Sequence, residues 1–411
     1  MPPALDLSSL PLPALEQLVA ELGEPRFRAL QLFRWIHRAG ATSLEQMTNL
    51  PLALRERLTT SAQLAPLTVA EQQESADGTR KLRLRCADGA SIESVLIPRE
   101  TKLTLCVSSQ VGCALGCRFC ATATMGLQRN LTAGEIVDQV YRANALRPAD
   151  DRLTNLVFMG MGEPLANFES VATAIELLCA ADGLDLSPRR ITVSTAGVVP
   201  GIRELGHRLR QVGLAISLHA TTDALRDRLM PINRRWPLAA LFAALREYPL
   251  PRRRRITFEY VLLPGLNDSA ADVTRLCRLL DRLPSKINLL PYNPCRTDQP
   301  DLLRPRAEQL ETFAELLRAR GLTATVRHSR GLDIAAACGQ LVVTGAAATR
   351  HGFEHPFPGA CRRMSRAGRA RGAASTGAER TGQYVSTGAQ PQRRDRSAQQ
   401  FSDRLPAKPL N

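Results

Sequence analysis

The sequence predicts an α/β fold: a partial (β/α)6 barrel, with a small N-terminal helical domain before it and a disordered C-terminal tail behind it. Three observations lead there. Six short β-rich runs alternate with helical segments between residues 101 and 345. Apolar residues recur at helical spacing near the N-terminus, and large apolar residues become scarce near the end.

The first domain is expected over 1–62. Leu15, Leu18 and Leu22, then Phe27, Leu30, Phe33 and Ile36, keep helical spacing, punctuated by Gly23, Pro25 and Gly40. Over 63–100 the pattern changes to alternation, in Lys81-Leu-Arg-Leu-Arg85 and Ser91-Ile-Glu-Ser-Val-Leu-Ile97. With Asp88-Gly89 as the turn, this reads as a short β extension. The core, 101–345, carries the six runs: 103–107, 156–159, 191–194, 214–218, 256–262 and 287–290. After them come a cysteine loop, Gly160-Met-Gly-Glu163, Thr195-Ala-Gly197, His219, Asn267-Asp268 and Asn293. Active sites of β/α barrels gather at the C-terminal rim of the strands, so these groups are expected around one mouth. The tail, 346–411, is rich in Arg, Gly, Ser, Ala and Gln and reads as a basic low-complexity segment.

The net charge of +15 points to an anionic partner, most simply nucleic acid. Roughly half of that excess lies in the tail, so the globular part is only moderately basic. Its basic runs, Arg252 to Arg255 and Asn233-Arg234-Arg235, read equally well as solvated surface. No apolar stretch is long enough to span a bilayer, and the start, Met1 to Asp6, is not a signal peptide. A cytoplasmic location, where thiols stay reduced, is expected.

The chemistry centres on Cys113-Ala-Leu-Gly-Cys117-Arg-Phe-Cys120. Three thiolates at this spacing leave one iron of a 4Fe-4S cluster open, where the amino and carboxylate groups of S-adenosylmethionine (SAM) can chelate. Zinc would call for a further paired motif and a fourth ligand, and neither is present. Two more cysteines stand apart. Cys338 lies in Gly331-Leu-Asp-Ile-Ala-Ala-Ala-Cys338, and Cys106 ends an apolar run; each alone also fits small-residue core packing.

The chain resembles the RlmN family, radical SAM adenine C2 methyltransferases of 23S ribosomal RNA. The matching stretches are Leu105 to Cys120, Arg129-Asn-Leu131, Met159-Gly-Met-Gly-Glu-Pro-Leu165, Ser194 to Pro200, Ser217-Leu-His219, Met230-Pro-Ile-Asn233, Asn288 to Pro294 and the segment around Cys338. They occur in the family's order over about residues 10–341, whereas the tail beyond Leu341 does not look like the family's usual end.

The resemblance implies one 4Fe-4S cluster held by Cys113, Cys117 and Cys120, and two SAM molecules per turnover. One SAM methylates Cys338 as a thiolate. The second is cleaved to a 5'-deoxyadenosyl radical, which takes hydrogen from that methyl group, and the resulting carbon radical adds to C2 of an adenine. Cys106 then attacks the sulfur of Cys338 and releases the RNA, leaving a transient disulfide. Glu93 matches the family's proton acceptor, although it also reads as a solvent-facing strand glutamate; Cys106 is the alternative base. Gly162, Glu163, Ser194, Ser217, Leu218, His219 and Asn293 match SAM-binding positions, while His219 taken alone reads as structural. The implied partners are 23S rRNA, some tRNAs with an adenine beside the anticodon, and an electron donor such as flavodoxin, with the chain a monomer. The N-terminal helices are a candidate RNA-docking element.

Two other readings remain at this point. One is the resistance relative (Cfr) that methylates C8 of the same adenine. The other is a non-enzymatic Fe-S RNA-binding sensor, which would need the cluster but neither Cys106 nor Cys338.

Overall fold

The computed structural model describes residues 5–64, 66–146, 153–295 and 299–343. The tail expected over 346–411 lies outside the described residues.

At the N-terminus, β1 (Leu5–Asp6) is followed by α1 (Leu12–Glu21), α2 (Phe27–His37) and α3 (Leu52–Ser61), and β2 (Ala62–Gln63) returns to pair in parallel with β1. Prolines open two of these helices: Pro11 before α1 and Pro51 before α3. Leu15, Val19, Leu32, Phe33 and Ile36 are buried, as the helical spacing requires. Phe27 departs from it. As the first residue of α2 it is 55% exposed, with the Arg28 guanidinium 4.7 Å from its ring centroid.

Next come β3 (Thr68–Glu74), β4 (Arg80–Arg85) and β5 (Ser91–Arg99), which pair antiparallel in sequence. Gly89, at φ +87°, turns the chain between β4 and β5. The expected hairpin is present, but it is part of something larger. β3 joins it, and β5 pairs antiparallel with the first barrel strand, β6 (Lys102–Cys106).

After β6 come a short pair, β7 (Gln110–Gly112) and β8 (Leu127–Asn130), then α4 (Ala133–Ala145). The barrel continues with β9 (Leu153–Phe158), α5 (Phe168–Cys179), β10 (Ile191–Thr195), α6 (Val199–Arg208) and β11 (Gly213–Ser217). It ends with α7 (Asp223–Leu229), α8 (Leu238–Glu247), β12 (Ile256–Leu262), α9 (Ala270–Leu280), β13 (Ser285–Pro291), α10 (Ala307–Ala319) and β14 (Ala324–Val326). Capping boxes fix two helix starts, Thr132 with Glu135 and Ser269 with Asp272.

The six expected strands are present as β6, β9, β10, β11, β12 and β13, paired in parallel, and β14 adds a seventh beside β13. The whole sheet has ten strands, in the order β14-β13-β12-β11-β10-β9-β6-β5-β4-β3. This is the partial barrel expected. β14 and β3 end the sheet without pairing to each other, so the barrel is open at its side. Leu156, Phe158, Val193, Ile216, Phe258, Ile287 and Leu289 are buried, and Phe258 stacks on Phe242 of α8 with ring centroids 5.7 Å apart.

The Arg252 to Arg255 run immediately precedes β12. It therefore lies at the N-terminal end of the strands, opposite the mouth. Among the described residues no helix is long and apolar enough to cross a membrane.

Candidate active site

The cysteine loop does not follow the first barrel strand directly, as expected; β7 intervenes and, with β8, grips the loop from both sides. Cys113 N–H donates to Gly126 O at 2.8 Å, Arg118 N–H to Leu229 O at 3.0 Å, and Ala121 N–H to Gly339 O at 2.7 Å. Gly112 sits at φ +78°, where a Cβ would overlap Gly126 O, so only glycine fits. Cys113, Cys117 and Cys120 all line one cavity of about 170 Å³.

Among the described residues no three His, Cys, Asp or Glu side chains converge on a single metal position. A mononuclear zinc site would need such convergence, whereas in a 4Fe-4S cluster each thiolate takes a different iron. The soft donor set suits that cluster. Burial pushes the Cys113 thiol up to about 12 and raises Cys117 well above the ordinary thiol value, so iron must displace their protons on binding. Arg226 pulls Cys117 the other way. This fully buried guanidinium donates to Leu218 O, Ala196 O and Ser217 O, and to Asn233 Oδ1. It thus ties the ends of β10 and β11 together and sets a positive charge beside the loop.

The same cavity is lined by Gly162, Glu163, Ser194, Ser217, His219, Asn293 and Cys338. Gly162, at φ +97°, packs so closely on Gln110 that a Cβ would come within 2.6 Å of the Gln110 Cβ. Gln110 Oε1 in turn accepts from Glu163 N–H at 2.8 Å. The Glu163 carboxylate accepts from Leu165 N–H at 3.1 Å and Ala196 N–H at 2.8 Å, and burial raises it to about 7. The Thr195 side chain also bonds this carboxylate, which still keeps a lone pair for a cation.

His219 has a positive φ of 56° and accepts from Val261 N–H through Nδ1 at 3.0 Å. The ring proton therefore sits on Nε2. Burial, with help from Arg226, lowers its pKa to about 3, so the ring is a neutral donor at physiological pH. His219 is thus both structural and cavity-lining. Leu218 lines no described cavity wall; its side chain is buried, and its backbone bonds Glu259 O and Arg226.

Cys338 lies on a strap, residues 331–342, that closes the open side of the barrel. Gly331 N–H donates to Asp77 Oδ2 at 3.0 Å, and Asp333 accepts from Ser75 Oγ at 2.6 Å and from Ala76 N–H. At the far end Val342 N–H donates to Glu93 Oε2 at 2.9 Å and Thr122 Oγ1 to Leu341 O at 2.7 Å. Asn293 Nδ2 holds the carbonyl of Cys338 itself at 3.2 Å. Its Oδ1 accepts from Ser329 Oγ and Arg304 Nη1, so both ends of the Asn293 amide are already engaged within the protein.

A second cavity, of about 50 Å³, adjoins the first along Met159, Leu290, Asn293 and Cys338, and Cys106 lines it too. Cys338 is therefore accessible from both cavities, with the three-cysteine loop on one side and Cys106 on the other. Burial raises the Cys106 thiol to about 12; Cys338 is exposed, with partial desolvation raising its thiol, and Arg327 pulls both down.

Glu93 is 4% exposed, which overturns the solvent-facing alternative. It lines neither cavity. One carboxylate oxygen lies 3.3 Å from Lys81 Nζ and the other holds Val342 N–H. Burial raises its pKa, opposed by Lys81.

Sequence reasoning missed Glu259, Arg226 and Arg327. Glu259 lines the first cavity, accepts from Asn288 Nδ2 at 2.9 Å and has its pKa raised by burial. Within Ile256-Thr-Phe-Glu-Tyr-Val-Leu262 nothing marks it out; only its place near the strand's C-terminal end gave a signal.

An open parallel barrel, three thiols in a loop at its mouth and a cofactor-sized cavity beside them define a radical SAM enzyme. The Radical SAM superfamily matches residues 107–277, and the ribosomal RNA large subunit methyltransferase N-terminal domain matches residues 5–64. The chain is 55% identical to the dual-specificity RNA methyltransferase RlmN of Anaeromyxobacter dehalogenans, over 83% of this chain and 92% of that protein. To its Pelobacter propionicus counterpart it is 49% identical, over 82% and 95%. The crystal structure of a radical SAM methyltransferase from Sphaerobacter thermophilus superposes with a TM-score of 0.77 at 48% identity, covering 82% of this chain and 99% of that one. The chain belongs to the RlmN family of radical SAM methyltransferases, an assignment that sets aside the non-enzymatic sensor.

Proposed function

We propose that the chain methylates C2 of a specific adenine in 23S rRNA, and of the adenine beside the anticodon in some tRNAs, through a methyl group first carried on Cys338. The observation that carries this reading is Cys338 itself, which borders both the cavity of Cys113, Cys117 and Cys120 and the cavity of Cys106. The family's relatives, named as dual-specificity RNA methyltransferases, support it.

A cluster and SAM, when bound, supply a carbon-centred radical, the species needed at an electrophilic ring carbon that no sulfonium alkylates. Cys113, Cys117 and Cys120 hold the cluster. Glu163, Ser194, Ser217 and His219 orient SAM: the carboxylate faces its ammonium, and the hydroxyls and the neutral imidazole N–H face polar atoms. The reading uses two SAM molecules per turnover. Cys338 takes the methyl as a thiolate, aided by Arg327, and Cys106 resolves the adduct by exchange at the Cys338 sulfur. Glu93, held by Lys81 and Val342 N–H outside both cavities, is the candidate C2 proton acceptor, with Cys106 as the alternative.

The substrate base must be unpaired or flipped to enter. In this reading the chain divides as 1–62, 63–100, 101–345 and 346–411, and the first of these docks RNA. A flavodoxin-like donor reduces the cluster, and the chain works as a cytoplasmic monomer.

The test is anaerobic reconstitution with iron, sulfide, reductant, SAM and an unmodified 23S rRNA fragment, followed by mass spectrometry of the nucleosides. 2-Methyladenosine is the expected product. 8-Methyladenosine, or no methylation from a fully loaded cluster, would contradict the reading.

A further inference from the structure

Three arginines reach the rim of the Cys106–Cys338 cavity from two separate elements. Arg99 is the last residue of β5, and Arg327 and Arg330 follow β14. Among the described residues none of the three has a carboxylate within ion-pair distance; Arg330 reaches only the backbone carbonyl of Asp77, at 3.3 Å. Arg129, by contrast, is paired with both Asp88 and Glu135. Here the like charges repel instead. Arg99 is exposed overall, and partial desolvation, then Arg327 and Arg330, lower its pKa. Glu259 is the carboxylate that senses Arg327 from deeper in the site. His328 and Ser329 complete the rim between them.

Arg99 is exposed and Arg327 and Arg330 are half-buried, so three like charges share one solvent-accessible rim that an incoming anion can bridge. The cavity is about 50 Å³, too small to take in a phosphodiester, so the anion stays at the lip.

We propose that Arg99, Arg327 and Arg330 form a phosphodiester site that grips the RNA backbone immediately beside the base presented to Cys338. This rests on the RNA reading above and adds which atoms of the RNA are held, and where. It also accounts for the position of the basic run at Arg252 to Arg255, which precedes β12 at the far end of the barrel and contributes nothing here.

The experiment compares the cluster-loaded, SAM-bound chain with its Arg99→Ala and Arg330→Ala variants. The probe is an RNA hairpin carrying the target adenosine, with Kd read by fluorescence anisotropy across a salt series. Each variant is expected to raise Kd about tenfold and to flatten the slope of log K against log salt by about one. A second probe carries one uncharged methylphosphonate linkage beside the target adenosine. It is expected to weaken binding to the wild-type chain but to cost nothing further in the variants. Unchanged slopes, or a methylphosphonate cost that is the same in all three proteins, would overturn the site. Affinity needs no methyl transfer, so failure of the adenine reading would show separately, as tight wild-type binding without 2-methyladenosine.

Discussion

Two stretches of chain bring sulfur to this site, and they are held in opposite ways. The loop of Cys113 to Cys120 is fixed by backbone: the β7–β8 pair, the Cys113 N–H to Gly126 O bond and the Arg118 N–H to Leu229 O bond. The strap bearing Cys338 is fixed chiefly by side chains, the carboxylates of Asp77, Asp333 and Glu93 and the amide of Asn293. A cluster needs three thiols at constant separation, which backbone hydrogen bonds provide. In the proposed reading Cys338 accepts a methyl, joins RNA and is resolved by Cys106, so it must shift between partners, and carboxylate anchors allow that. The comparison can be broken from either side.

The largest effect belongs to the loop. Gly112→Ala forces a side chain onto Gly126 O at a left-handed φ, so iron per chain should fall to background and turnover should vanish. A variant with full iron content would show that the loop is not rigidly set.

The strap answers next, through Glu93. Glu93→Ala strips Lys81 of its partner in a pair whose side chains are 12% and 6% exposed. It should cost about 3 kcal/mol in denaturant melts while iron content survives. Glu93→Gln keeps an oxygen for Val342 N–H, so methylation of Cys338 should persist. Accumulation of RNA covalently attached to Cys338 in that variant would assign Glu93 the proton-accepting role.

A pH effect of intermediate size belongs to Glu163. Its folded pKa of about 7 lies above the ordinary 4.5, so the folded chain binds an extra proton between those values. Its contribution to stability is fully present below about 4.5 and is lost as pH rises through about 7, at up to about 1.4 kcal/mol per pH unit. Urea melts of the cluster-free chain should show this slope, and Glu163→Gln should remove it.

The smallest effect is at the exposed end of the strap. Hydrogen bonds hold Asp333 and Asp77 below the ordinary carboxylate value, for Asp77 against a desolvation cost. Their stabilisation is present above that value and is lost as pH falls through the lowered one. Asp333→Asn should speed alkylation of Cys338 by iodoacetamide a few-fold at neutral pH, with cluster content unchanged.

The same contrast explains what was legible in the sequence. The cysteine loop advertises itself because its three cysteines lie within eight residues, and the barrel strands do so because parallel strands are continuous apolar runs. β3 was missed because Thr68-Val-Ala-Glu-Gln-Gln-Glu74 is an edge strand with most of its side chains exposed. β14 was missed because three residues carry no periodicity. The strap was invisible as a strap: Gly331 meets Asp77, and Val342 meets Glu93, across about 250 positions of sequence. Resemblance pointed to Cys338 and Glu93, but only the fold shows that one carboxylate anchors the segment carrying the other residue. The positions of Glu259 and Arg327 and the tautomer of His219 likewise depend on neighbours that no local pattern reveals.

The most direct test of the central claim is where the first methyl group goes. The cluster-loaded chain, supplied with SAM bearing a deuterated methyl group and a reductant but no RNA, would be digested and every cysteine-containing peptide weighed. The account predicts the label on the peptide of Cys338, and its absence from those of Cys106, Cys113, Cys117 and Cys120. Label on another cysteine, or none on Cys338 from a fully loaded cluster, would contradict it.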